Sequence, residues 1–403
     1  MKILLTVFFF YCLYHGALAQ TGCQDPLAIN FNPTTIQTDT SCHYPLTNVS
    51  TSSRIPSLPA SIPESSALLL TDGKLFTLND SGNTPDIFQL DSTTGAILKK
   101  TTISNFTNID WEELAADSQF LYVGDFGNNS GNRTNLRILK LRKTALYHPD
   151  SISVPASRLS FTYPDQTNFN SSGTHNFDCE AFFYFNGLLH LFTKNRGNQK
   201  TNYYTLDPTL ATQQAILKDS LNVKGLITAA SIRPDGKAAI LLGYGNGNAV
   251  VFTWLLFGYQ GSDFFGGNRR RLELPNALTS GQAEGICFAP SDRIWVSNEK
   301  VSFVPAAVRQ FSFKPFITPF FTPILPDIKK SSIQVFMDNN LEIISINGLA
   351  QNQVMCVSGM DGKKIYEGNT NAISTHGWKP GIYQVLIPES KNGKLFNQRI
   401  LIH

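Results

Sequence analysis

Between residues 62 and 315 the apolar positions come in paired short runs, each pair opened by a brief, mostly acidic phrase and closed by a polar cluster. The phrases are Pro63 to Leu68, Asp110 to Ala115, Asp178 to Phe182, Thr228 to Ile232 and Gln282 to Ile286. Between the two runs of a pair stand turn residues, such as Asp72-Gly73, Asn186-Gly187 and Asp235-Gly236. Short apolar runs joined by such turns are antiparallel hairpins. Anchors at Glu64, Glu112, Glu180, Ala229 and Glu284 recur at a spacing of roughly fifty residues with insertions, which is the period of a β-propeller blade. Five units are visible. A sixth is completed either from Leu159 to Tyr163 or by strand exchange between the ends, so the expectation is five or six blades.

A second all-β pattern follows. Prolines crowd Pro315 to Pro326, where the missing N–H groups make a connector rather than a strand. Beyond it, short runs such as Ile333 to Phe336, Leu341 to Ile346, Gln353 to Val357, Ile382 to Ile387 and Gln398 to Ile402 are separated by Asn-Gly and Asp-Gly turns. They predict a small C-terminal Ig-like β-sandwich.

The amino terminus differs from both. Lys2, an apolar run from Ile3 to Leu13 and Ala17-Leu18-Ala19 have the order of a cleavable signal peptide. No other stretch is apolar enough for a membrane helix. The expected organisation is a signal peptide (1–19), a two-cysteine module (20–46), a linker (47–61), the propeller (62–315), a linker (316–330) and the C-terminal domain (331–403).

Charge excludes one class of partner. A net charge of +3 with only 16% charged residues is a poor nucleic-acid footprint. The triplet Arg269-Arg270-Arg271 is expected on a solvated loop. Cys23 and Cys42 bracket a short polar segment and are expected to form a disulfide in an oxidising compartment, whereas Cys179, Cys287 and Cys356 sit in apolar runs as core residues. In the bracketed segment Asp25, Asn30, Asn32 and Asp39 suit either a bound Ca²⁺ or turn hydrogen bonds. His175, His190 and His376 are scattered singly and are expected to be surface or hydrogen-bonded histidines.

In a propeller the innermost strand of each blade lines the channel, so the opening phrases converge there. Glu64, Glu112, Glu180 and Glu284 are the candidate metal ligands, and a carboxylate set without histidine or cysteine favours Ca²⁺ over zinc. The competing expectation is that these acids bond backbone amides and lock the blades together.

Three resemblances add to this. Gly22 to Pro33 followed by Asp39 to Tyr44 resembles a short two-cysteine module of secreted bacterial proteins. Val357 to Tyr366, Trp378 to Val385 and Arg399 before a terminal apolar run resemble the sorting domain of the type IX secretion system of Bacteroidetes, departing from it at Trp378 and Pro380. That resemblance implies export by the type IX machinery, then release or attachment at the outer surface. Asp110-Trp111-Glu112, Tyr122 to Asn129 with Arg133, Asp178 to Ala181 with Lys194, and Gln282 to Gly285 resemble secreted propellers related to phytase-like or esterase-like and calcium-binding domains.

Two functions remain open at this point. One is a ligand-binding module with an acidic, calcium-holding channel mouth and Asp125, Lys194, Arg196 and Arg133 as ligand contacts. The other, implied by the third resemblance, is a calcium-dependent esterase or phosphoesterase with water activated on Glu112, Asp125, Glu180 and Glu284. No G-x-S-x-G elbow or Ser-His-Asp set is legible.

Overall fold

A computed structural model describes residues 21–35, 37–39, 41–245, 247, 249–321, 333–338, 342–347, 349, 353–359, 361–388 and 395–402. The expected signal peptide lies outside them. The chain divides into two compact units, residues 1–321 and 322–403.

The first unit contains five sheets with antiparallel inner strands, each opening on an innermost strand. The inner strands are Leu69–Thr71, Trp111–Ala116, Cys179–Phe185, Leu226–Ile232 and Gln282–Ala289, and they contact one another in that order around a closed ring. This is a five-bladed β-propeller. Two-residue turns at Asp72-Gly73 and Asn186-Gly187, all at positive φ, close hairpins between the first and second strands of blades one and three. Between the sheets lie apolar clusters, such as Ala229, Ile240, Leu255, Ile286, Val296 and Phe311 between blades four and five.

The ring is closed by strands that precede it in the sequence. Ser52–Ile55 pairs antiparallel with Ala307–Ser312 as the outermost strand of blade five, and Thr47–Asn48 adds in parallel to Asn268–Leu274 of blade four. The stretch 47–61, expected as a linker, is therefore partly sheet. Ile55, Leu58 and Ile62 bury their side chains in the core beside Val308 and Trp295, which is what a solvated linker would not do. No sixth blade forms around Leu159, because Ser157–Thr162 is the fourth strand of blade two. The arginine triplet is also in a strand rather than a loop. Arg270 lies buried between the rings of Tyr44 and Phe316, 5.1 Å from each, and Arg271 stacks 3.8 Å from Phe252. After the last blade strand, Lys314–Phe321 is a helix whose Ile317 is buried in the cluster between blades four and five.

Cys23 and Cys42 form a disulfide. Its loop docks on blade four through Tyr44, whose ring meets Phe257 at 6.0 Å and whose hydroxyl donates to buried Asp25 at 2.8 Å. The oxygen donors of the loop are engaged in hydrogen bonds. Asn30 accepts from the His43 amide (2.8 Å), Asn32 from the Thr34 amide (3.0 Å) and Asp39 from the Ser41 amide (3.0 Å). Asn32 and Asp39 make local turn bonds, whereas Asn30 reaches across the loop to His43.

In the second unit, Gln334–Asp338, Ile343–Asn347 and Ala372–Ser374 form one sheet, and Lys364–Gly368, Met355–Gly359, Gly381–Pro388 and Leu395–Ile402 another. Both contribute to one core that includes Val335, Ile344, Val357, Val385 and Ile400, making a small β-sandwich. Trp378 packs its ring 5.2 Å from that of Tyr383 at the edge of this core.

Candidate functional site

The inner strands of blades two to five share one irregularity. Gly124 pairs with Glu113 and Asp125 with Trp111, so Glu112 is skipped. In the same way Glu180, Thr228 and Glu284 are skipped in their ladders. A bulge leaves its residue unpaired and re-aims the side chain. The repeated phrase therefore encodes a bulge in these four blades. It carries a carboxylate in blades two, three and five and a hydroxyl in blade four.

This revises two anchors. In blade four the bulged residue is Thr228, one position before Ala229. In blade one Ser66, not Glu64, takes the corresponding role. Ser66 Oγ donates to the Trp111 carbonyl at 3.2 Å and Thr228 Oγ1 to the Ala283 carbonyl at 2.9 Å, in each case the residue preceding the next blade's bulged glutamate. Glu64 is exposed and accepts from Asn83 at 2.6 Å.

Around the bulges lies a cavity of about 130 Å³, lined by Ser66, Glu112, Glu180, Gln282 and Glu284 from the inner strands. Asp80, Lys194, Arg196, Tyr244 and Glu299, from the ends of the second strands, complete it with Asn129. Part of the charge is paired. Lys194 Nζ lies 2.6 and 2.5 Å from the two oxygens of Glu180 and 5.0 Å from the Tyr244 ring. Burial opposes the Lys194 charge, but Glu180 and Glu284 outweigh it and hold the ammonium protonated. Arg196 bridges Asp178 at 2.9 Å and also donates to Asn129. Asp125 is fully buried and bound by Arg133 at 3.0 Å and Arg137 at 2.7 Å, so neither Asp125 nor Arg133 lines the cavity.

The remaining acids have little compensation. Glu112 is 6% exposed and has no hydrogen-bond or ion-pair partner among the described residues. Burial, then the charges of Glu180, Asp80 and Asp110, push its carboxyl well above the ordinary range. Asp110 is raised to about 6, first by burial and then by Asp80, with Arg133 3.9 Å away. Glu299 is raised to about 8 by burial and then by Glu284 and Asp80. Asp80, Asp110 and Glu112 each offer an oxygen, all within 4.8 Å of one another. Their closeness depends on Gly127. A Cβ there would fall 2.0 Å from a Glu112 oxygen and 2.5 Å from the Asp110 carboxyl.

Glu113, adjacent in sequence, has a different role. Its Oε1 accepts from the Leu114 amide at 2.9 Å, its Oε2 is buried without a hydrogen-bond partner among the described residues, and burial pushes its carboxyl well above the ordinary range. Of the acids expected to lock blades through backbone amides, Glu112 instead faces the cavity. Elsewhere, burial raises the thiol of Cys179 to about 12, and His190 is buried between the Tyr203 hydroxyl (2.7 Å) and the Phe185 carbonyl (2.9 Å).

Asp80, Asp110, Tyr244 and Glu299 were not among the sequence candidates. The available signal was that Asp80, Lys194, Tyr244 and Glu299 all belong to the polar clusters that close second strands. In an antiparallel hairpin those ends return to the mouth where the first strands begin.

No family model matches the chain, and no curated protein matches it in sequence. Among solved structures, a glutaminyl cyclase of Myxococcus xanthus is 14% identical over 66% of this chain and 98% of its own, with a TM-score of 0.39. An exo-β-1,3-galactanase of Phanerochaete chrysosporium is 9% identical over 87% of this chain and 92% of its own, with a TM-score of 0.43. PorZ, a surface component of the type IX secretion system of Porphyromonas gingivalis, is 12% identical over 84% of this chain and 45% of its own, at 0.33. Likenesses at this level say nothing of activity, and the propeller rests on its own strand order.

Proposed function

We propose that this chain is an exported ligand-binding propeller whose axial cavity takes up a cation, with Ca²⁺ held by Asp80, Asp110 and Glu112. The observation that carries this reading is the unpartnered, 6%-exposed Glu112 carboxylate beside two further acids. Oxygens bound to one Ca²⁺ at about 2.3–2.6 Å lie up to about 5 Å apart, which suits the 4.8 Å spread of this trio. Calcium takes six to eight oxygens, so three carboxylates leave positions for a ligand's own oxygens. Export is supported by the signal-like amino terminus and by the sorting-domain resemblance of residues 331–403, which names the type IX machinery as partner. The disulfide is consistent with an oxidising compartment, and among the described residues no helix is long and apolar enough to cross a membrane.

Thermal melting of the mature chain in CaCl₂ and in chelator tests this. At a hundredfold excess over Kd the melting temperature should rise by about 3–5 °C. Glu112→Gln should abolish that rise while leaving the metal-free protein at least as stable, since it removes an uncompensated charge. A destabilised metal-free variant, or no calcium shift in the parent chain, would show that the trio is structural.

A second reading, hydrolysis, has one observation in its favour. Glu299, on the cavity wall, is raised to about 8, and Asp110, whose carboxyl lies beside that of the cavity-lining Glu112, to about 6, so groups suited to donating and to accepting a proton stand around one axial site at neutral pH. A bell-shaped rate profile on ester, phosphoester or glycoside substrates, lost in both Asp110→Asn and Glu299→Gln, would support it.

A further inference from the structure

Beside the acidic cavity opens a second, apolar chamber of about 540 Å³, and Tyr244 and Gln282 line both. Its walls are small or aliphatic, among them Ala249, Val251, Ala277, Ala283 and Val304. At its rim the tight turn Val301–Val304, closed by amide–carbonyl bonds of 3.0 and 2.8 Å, holds Phe303 fully exposed. Leu278, on the same chamber, is 79% exposed. Exposed large apolar side chains grouped around a hollow are characteristic of binding surfaces.

The acids on this side of the cavity are Glu284 and Glu299. Glu284 accepts from Gln282 at 2.5 Å, so the residue shared by the two chambers is tied to the acid. A hydrated metal ion would gain nothing from the apolar chamber, and a neutral apolar ligand would gain nothing from the acids. The Lys194 ammonium, seated between Glu180 and the Tyr244 ring, already demonstrates the cation this environment stabilises.

We propose that the two chambers form one site, and that its ligand is an organic ammonium ion bearing an apolar group. The ammonium lies against Glu299 and Glu284, and the apolar group fills the chamber beneath Phe303. This rests on the cation reading of the axial cavity and adds the ligand class. The ammonium end sits at the Glu284–Glu299 side, so Asp80, Asp110 and Glu112 stay available to calcium.

Calorimetric titration of the mature chain at pH 9, where Glu299 is ionised and the alkylammonium ions keep their proton, with ethylammonium, n-hexylammonium and 1-hexanol tests it. Each buried methylene strengthens binding by up to about fourfold, so hexylammonium should bind at least tenfold more tightly than ethylammonium, and at least tenfold more tightly than hexanol. Glu299→Gln should weaken hexylammonium at least tenfold. Ala249→Trp, which fills the chamber, should erase the chain-length preference. Phe303→Ser, at a fully exposed tip where folding is not at stake, should reduce that preference severalfold. Equal binding of the two amines would exclude the chamber, and equal binding of hexanol and hexylammonium would exclude the acids. Absence of binding by all three would overturn the proposal outright. The calcium melting shift, which depends on Glu112, reports separately on the underlying cation reading.

Discussion

Lys194 and Glu180 show how much a single side chain settles in this cavity. Both are nearly fully buried, with side chains 4% and 5% exposed, and the ammonium contacts both carboxylate oxygens. Lys194→Met would leave Glu180 buried beside other acids with only the more distant Arg196, 3.8 Å away and already bound to Asp178, as counter-charge, a loss of about 3 kcal/mol. Adding Glu180→Gln should restore most of it. Denaturant unfolding of the two variants measures both numbers, and a single variant as stable as the parent would mean that Glu180 is neutral in the fold. Such roles were only partly legible beforehand. Glu112, Glu180 and Glu284 stand out as repeated acids, but that Glu180 is paired, Glu284 tied to Gln282 and Glu112 unpartnered depends on side chains contributed by other strands. Nothing in the spelling Glu112-Glu113 says that the first is skipped by its ladder and faces the cavity while the second stays in register opposite Gly124. A one-residue bulge makes that distinction.

Among elements, the strand Ser52–Ile55 has the largest consequence for its size. It gives blade five its fourth strand from the opposite end of the propeller sequence, and it brings Ile55, Leu58 and Ile62 into the core. Burial of such side chains is worth about 1.5–3 kcal/mol each. A chain beginning after Ile62 should therefore melt at least about 10 °C lower than one beginning at Thr47, even though both lack the disulfide module. Equal melting temperatures would show that the ring closes without this strand. Local composition, Pro- and Ser-rich from Ser53 to Ser61, points to a linker, because strand pairing between residues about 250 positions apart leaves little local signature. Hairpins closed by Asp72-Gly73 and Asn186-Gly187 are the opposite case, since the turn residues themselves demand the positive φ they adopt.

At the level of the whole molecule the concentration of acid makes stability depend on pH in a direction set by the cavity. Asp110 and Glu299 have folded-state pKa values raised above the ordinary carboxyl range, to about 6 and about 8. Their contribution is fully present below about pH 4 and is lost as pH rises through 6 and then 8. His190, lowered to about 4 by burial, acts in the other direction, so stability is lost as pH falls from about 6.5 towards 4. Two raised carboxyls outweigh one lowered histidine, so in chelator the melting temperature should be highest near pH 4–5 and decline towards pH 8, and saturating calcium should flatten the alkaline limb. Melts across pH 4–9 with and without calcium measure this, and an alkaline limb that ignores calcium would count against metal binding by the trio. The sequence alone determined the all-β class, the five repeated units, the hairpin turns, the Cys23–Cys42 disulfide and the C-terminal sandwich, because each is written in local periodicity or in residue types with a fixed conformational preference. Only the tertiary structure decided the blade count, the closing strand, the bulge register and the union of Asp80, Asp110 and Glu112. Those depend on ring closure, which brings distant strand ends to one axis and leaves more carboxylates there than the local cations can neutralise.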